Sequence, residues 1–382
     1  MKQRLWPQAQ LDELRQVGDP LADEAVGAII AEKGLDEARH LFDQLIRNIE
    51  LPKDELPDSL QAFWEATNQL PDWADWERIQ LANDFFLDHG HRFLVFLYYK
   101  SLPILYSCAK GAEVLIRTGR LAHGSEQLDV FSRRIAETGQ FLMNVMAPEA
   151  LKPGGIGIQA IQKVRLIHAA IRHFVGKSAG WKKEELGVPV NQEDMAITLM
   201  TFSIALTDGL KQFRIEEDKE RIEAFIHTWS AIGRNMGIQG DLLPSDSPRA
   251  RLLMTSILRR QSRASEAGKK LTQSLVDFSK DKLPAEIRQL PHWMILHLTG
   301  KDIASKLGVQ PSPGCLGLAL PTFLKTVFRM EERLEDKLKE PLGPFLDMLS
   351  NHLMQAMVNY FDKHKQRSFT LPDSLQQRWL KN

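Results

Sequence analysis

In the stretch Lys163-Val-Arg-Leu-Ile-His-Ala-Ala-Ile-Arg172, helical spacing places Arg165, His168 and Arg172 on one face. An imidazole between two guanidinium groups, set among Val164, Leu166, Ile167, Ala169, Ala170, Ile171 and Phe174, suits an anionic, largely hydrophobic ligand with an electrophilic centre. A haem with two propionates has these properties. One neutral nitrogen of His168 can ligate iron while the other donates to a carbonyl or carboxylate, and Arg165 and Arg172 can each pair a propionate through bidentate geometry. A hydrogen-bonded core histidine beside arginines paired with carboxylates of other helices satisfies the same spacing, because a buried cation demands an anion of either origin.

A second cluster precedes this one. Arg134-Ile-Ala-Glu-Thr138 sets Arg134, Glu137 and Thr138 on adjoining faces of a helix that also carries Phe131, Ile135, Phe141 and Leu142. Its plain reading is an Arg/Glu pair near the surface. The turn Pro148 to Gly157 is short enough to pair this helix antiparallel with the His168 helix.

Other chemistry finds less support. Asp88-His-Gly-His91 could bind a metal at a helix end, but its charged neighbours favour a solvated turn. Glu37-Ala-Arg-His40 has the Glu-x-x-His spacing of di-iron bundles, yet no second such motif accompanies it. G-x-S-x-G is absent, and Gly154-Gly-Ile-Gly157 follows a loop instead of a strand, so it starts the His168 helix and is no nucleotide fingerprint.

The elements that must position these residues are helices. Apolar residues recur at three- and four-residue spacing nearly everywhere, with little strand-like alternation, so the expected fold is all-α. The pattern predicts helices over 20–33, 35–48, 57–68, 72–87, 90–106, 107–119, 126–146, 157–175, 192–213, 216–237, 247–279, 292–299, 320–340 and 344–365. Asn191 can cap the helix after it, and Gly34, Gly237 and Gly343 suit helix exits. With no internal repeat, the reading is one helical body over 55–365, accessory helices over 1–54 and a peripheral tail over 366–382.

Composition narrows the classes. The 382 residues carry 49 basic and 49 acidic side chains, so no global field draws the chain to nucleic acid. Cys108 and Cys315 lie far apart and outside any C-x-x-C-H pattern, which excludes covalent haem attachment. The longest apolar stretch, Phe93 to Ala109, contains Lys100 and Pro103 and is shorter than the ~20 residues of a spanning helix. The N-terminus has no export signature, so a cytoplasmic location is expected.

Taken together, Arg134-x-x-x-Thr138 followed by Arg165-x-x-His168-x-x-x-Arg172 resembles the latex-clearing protein (rubber oxygenase) catalytic-domain family, which includes the oxygenase of mycophenolic acid biosynthesis. The similarity extends through Ser101 to Tyr106, Thr118 to Leu121, Gly187 to Asp194, Thr198 to Ser203 and Trp229 to Gly237, covering roughly residues 80 to 260. The resemblance implies a globin-like helical core holding one non-covalent haem b, with His168 as the proximal iron ligand and Arg165 and Arg172 supporting the haem and its propionates. It implies that Arg134 and Thr138 lie on the distal or pocket side. It also implies dioxygen chemistry on an unsaturated hydrophobic substrate. Where the rubber-cleaving branch has a distal lysine, this chain has Glu137: a weak sixth ligand, a general base, or neither. Without an export signal, a small lipid-like substrate fits better than polymeric latex. The alternative is a non-catalytic haem- or lipid-binding protein that stores or senses its ligand. Substrate, redox partner and oligomeric state leave no mark in the sequence.

Overall fold

A computed structural model describes residues 6–46, 58–121, 127–282, 288–310, 346–347, 349–351 and 353–354. The expected helix 320–340, most of 344–365, Cys315, Gly343 and the tail 366–382 lie outside the described residues.

Within them the chain forms α1 (Gln8–Leu14), α2 (Pro20–Lys33), α3 (Leu35–Ile46), α4 (Asp58–Ala66), α5 (Trp76–Phe96), α6 (Leu102–Ser107), α7 (Ala109–Leu121), α8 (Gln127–Met146), α9 (Ile156–Gly176) and α10 (Lys183–Leu186). Then follow α11 (Gln192–Phe202), α12 (Ile204–Gln212), α13 (Lys219–Asn235), α14 (Ser247–Gln261), α15 (Glu266–Lys282) and α16 (Leu290–Lys306). The fold is a single all-α globular domain, with no strand among the described residues beyond one isolated bridge between Cys108 and Ser262.

The largest helix pairing is α5 against α13. Phe85, Phe93 and Phe96 recur on α5 at helical spacing and are fully buried. Phe225 of α13 meets Phe85 edge-on, with ring centroids 5.4 Å apart and planes at 78°. Such edge-to-face pairs add roughly 0.5–1.5 kcal/mol beyond the area they bury. A second, smaller core is separate: Ala22, Val26 and Ile29 of α2 pack with Phe42, Phe63 and the Leu166, Ala169 and Ala170 side of α9.

Several expected boundaries move. The break expected between residues 87 and 90 is absent, because α5 runs on to Phe96, followed by a π-helical turn over Leu97–Ser101 before α6. Pro103, with no N–H to donate, sits in the first turn of α6, and the wider turn absorbs the lost helical hydrogen bond. The Asp88–His91 cluster is therefore helical rather than a solvated turn: His89 is buried, and its Nε2 lies 2.5 Å from Glu217 Oε1. The expected helix 192–213 breaks at Ser203 (φ −112°, ψ −91°), and 247–279 breaks after Gln261. Helix α1 has no counterpart among the expected elements. It is held by tertiary contacts, since Arg15 Nη1 donates to Glu193 Oε2 at 3.0 Å and to Asp194 Oδ1 at 2.8 Å.

Candidate active site

Helix α9 starts where the glycine run was expected to start it, with Gly155 as N-cap. A Cβ at Gly155 would stand 2.4 Å from the Ala150 carbonyl oxygen, and one at Gly157 would stand 2.8 Å from it. Only glycine lets the Pro148–Gly157 turn fold this tightly onto the helix it initiates. Helices α8 and α9 then pack against each other, as the short turn requires.

One side of α9 is sealed against α2. The other is not: Val164, Ile167, His168 and Ile171 are only half-buried, as are Glu137, Phe141 and Asn144 of α8. His168 Nδ1 is shut off from solvent and has no hydrogen-bond partner. Burial, reinforced by the nearby Arg172 charge, lowers the imidazole to about 4, so the ring is neutral at physiological pH. A neutral imidazole with an unengaged nitrogen is a competent metal ligand.

The two arginines beside it already have anionic partners. Arg165 holds Asp19 with both Nε and Nη2, the latter 2.8 Å from Oδ1, and its Nη1 donates to the Asn235 carbonyl at 3.0 Å. Arg172 Nε donates to Asp23 Oδ1 at 2.6 Å and Nη1 to the Val190 carbonyl at 3.1 Å. Arg172 Nη2 is buried without a partner. Both carboxylates come from the start of α2, and glycines let them approach: a Cβ at Gly18 would stand 2.6 Å from Arg172 Cδ, and one at Gly237 would stand 2.5 Å from Asp19 Oδ2.

The second sequence cluster divides among three neighbours. Arg134 Nη1 donates to the Leu115 carbonyl of α7 at 2.7 Å, and its Nη2 reaches the Thr118 hydroxyl. Thr138 Oγ1 donates to the Arg134 carbonyl at 2.6 Å, and Thr138 lines a small apolar pocket with Leu97, Tyr98 and Phe278. Glu137 lies on the α9 side, near Lys163. Burial pushes the Lys163 ammonium down to about 8, and the Glu137 carboxylate opposes that shift. Lys163 thus sets a cation beside Glu137 from the α9 side.

Sequence reasoning singled out His168 and did not name Asp19, Asp23 or Lys163 as its neighbours. Asp19 and Asp23 did carry a signal: two acids one turn apart at a helix start can serve two cations two turns apart. What joined them to α9 was a contact across 146 residues. Among the described residues no group of histidine, cysteine and acidic side chains forms a cluster able to hold a bare metal ion. No helix among them is long and apolar enough to cross a membrane.

Residues 88–327 match the family described as "ER-bound oxygenase mpaB/B'/Rubber oxygenase, catalytic domain". The chain is 23% identical over 301 residues to a rubber oxygenase of Streptomyces sp. (strain K30), covering 78% of this chain and 72% of that protein. Its fold is similar to that of latex clearing protein LCP in the closed state, with a TM-score of 0.70 and 21% identity over 90% of this chain and 91% of that one. Because the matched segment spans well over half of the sequence and carries both α8 and α9, the chain belongs to the mpaB/rubber oxygenase catalytic-domain family of oxygenases.

Proposed function

We propose that this protein is a haem b-dependent oxygenase in which His168 would hold the haem iron and which acts with dioxygen on a hydrophobic, unsaturated small molecule. The observation that carries the reading is His168 itself: neutral, with an orphaned buried nitrogen, on a half-buried apolar face of α9. The donor set fits the group. Arg172 Nη2 is a second buried donor without a partner, suited to one propionate oxygen, whereas Arg165 is saturated by Asp19 and Asn235.

Bound haem would supply the redox-active iron that activates dioxygen. The rest falls to the chain. His168 would present a neutral nitrogen to the iron, and Asp19 and Asp23, through the arginines, would fix the rotation of α9 and so the aim of the ring. Val164, Ile167 and Ile171 would exclude water and hold an apolar substrate. Glu137, with Lys163 beside it, is the group positioned to hold or pass a proton at its carboxylate. Arg134 and Thr138 would set the spacing of α8 from α7 and border the substrate side.

The test is an absorption spectrum of protein produced with adequate haem supply, compared with His168→Ala. The expected result is a Soret band that shifts or collapses in the variant. Equal haem content and identical spectra in the two proteins would refute ligation by His168. Haem-loaded protein that consumes no dioxygen with any unsaturated lipid would favour storage or sensing instead.

A further inference from the structure

Beside the Asp19–Arg165 pair lies a cleft of about 650 Å³, walled by the start of α2, the Ala66–Trp73 turn and the end of α13. His168 does not line it. Its size falls within the range of small-molecule sites.

The floor is saturated with hydrogen bonds. Gln192 Nε2 donates to the Gly18 carbonyl at 2.7 Å and the Gly237 carbonyl at 2.9 Å, and its Oε1 accepts from the Gln239 amide at 2.9 Å. Asn235 Nδ2 donates to the Thr67 carbonyl at 3.3 Å. With Arg165 held by Asp19, the floor is rigid and electrically neutral, and offers a ligand little polar attraction of its own.

The rim differs. The Arg234 guanidinium at the end of α13 is exposed and pairs with no described residue. Trp73 is 49% exposed and Leu21 39%, so two large apolar side chains flank the same opening. The Trp73 ring is fixed edge-on against His227, with centroids 5.6 Å apart, and is therefore a preorganised platform. Asp72 adds one negative charge to the rim, which disfavours polyanions and leaves a single carboxylate as the charge that Arg234 can take. We propose that this cleft binds a small monocarboxylate with an apolar body, the carboxylate on Arg234 and the body against Trp73 and Leu21.

This proposal does not depend on haem. Decanoate serves as the probe and decanol as the control, titrated calorimetrically into the full chain, with Arg234→Ala and Trp73→Ala variants. Both side chains are exposed, so both variants should fold, which circular dichroism checks. Saturable binding of decanoate is expected, weakened roughly tenfold or more by Arg234→Ala, as loss of a charge-assisted contact implies. Trp73→Ala should weaken decanoate and decanol alike, and His168→Ala should change neither. The proposal is overturned by absence of saturable decanoate binding, by binding indifferent to Arg234→Ala, or by binding abolished in His168→Ala, which would move the ligand to the α9 face.

Discussion

Asp19 and Arg165 form a buried, two-pronged ion pair across 146 residues of sequence, with Gly237 at φ +85° leaving the space in which they meet. The pair fixes the N-terminal segment to the helix that carries His168. Removing one partner of a buried pair leaves an uncompensated charge and typically costs about 3–5 kcal/mol. Asp19→Ala should therefore lower stability by that order in urea unfolding. A double variant with Arg165→Met should recover much of the loss.

Gly237→Ala should destabilise through two causes at once. The added Cβ would stand 2.5 Å from Asp19 Oδ2, and alanine is strained at that φ. We expect a loss of about 1–3 kcal/mol, on the scale of other strained backbone sites, and a lower melting temperature. Gly240→Ala, with open space around its Cβ, is the control and should change stability little.

The two arginines should differ in cofactor uptake. Arg172 retains an unpartnered Nη2 and Arg165 does not. Haem titration should show Arg172→Lys weakening uptake more than Arg165→Lys, whereas Arg165→Lys should cost more stability because it loses the bidentate grip. The reverse order would mean that propionates displace Asp19.

Glu137 and Lys163 invite a charge reversal. Glu137→Lys would set two ammonium groups near each other between α8 and α9 and should lower the melting temperature. Adding Lys163→Glu should restore it. With Glu137→Gln, the Lys163 pKa should fall below its value of about 8, because the opposing carboxylate is gone. NMR titration of labelled lysine would read this directly.

Lys100 should make stability depend on alkaline pH. Burial depresses its ammonium to about 8, and its Nζ is held by the Gln212 side-chain oxygen. Between pH 8 and the unfolded value of 10.5, the unfolded chain binds more protons, so this residue's contribution to stability rises with pH across that window. Below pH 8 its cost is constant, at most about 3 kcal/mol. Lys100→Met should therefore be more favourable relative to wild type at pH 7 than at pH 10, as chemical denaturation at both pH values would show.

The sequence by itself determined the helical class, the helix at Pro20–Lys33 to the residue and the Asn191 cap. Each depends on side-chain periodicity or local backbone chemistry, and these are written in neighbouring residues. The motifs around α8 and α9 also pointed to the family, and its matched segment, residues 88–327, reaches past the C-terminal end of the stretch they covered. Only the tertiary structure decided what the arginines hold. Arg165 and Arg172 read equally as partners for an external anion or for the chain's own carboxylates; Asp19 and Asp23, remote in sequence and brought in by α2, pair with both, yet leave Arg172 Nη2 without a partner. The charged Asp88–His91 cluster likewise suggested a turn, yet α5 continues through it, and aromatic packing against α13 outweighs the roughly 1 kcal/mol that helical Gly90 costs. Spacing along one helix specifies which side chains share a face; what that face meets depends on contacts between distant segments, which local sequence does not encode.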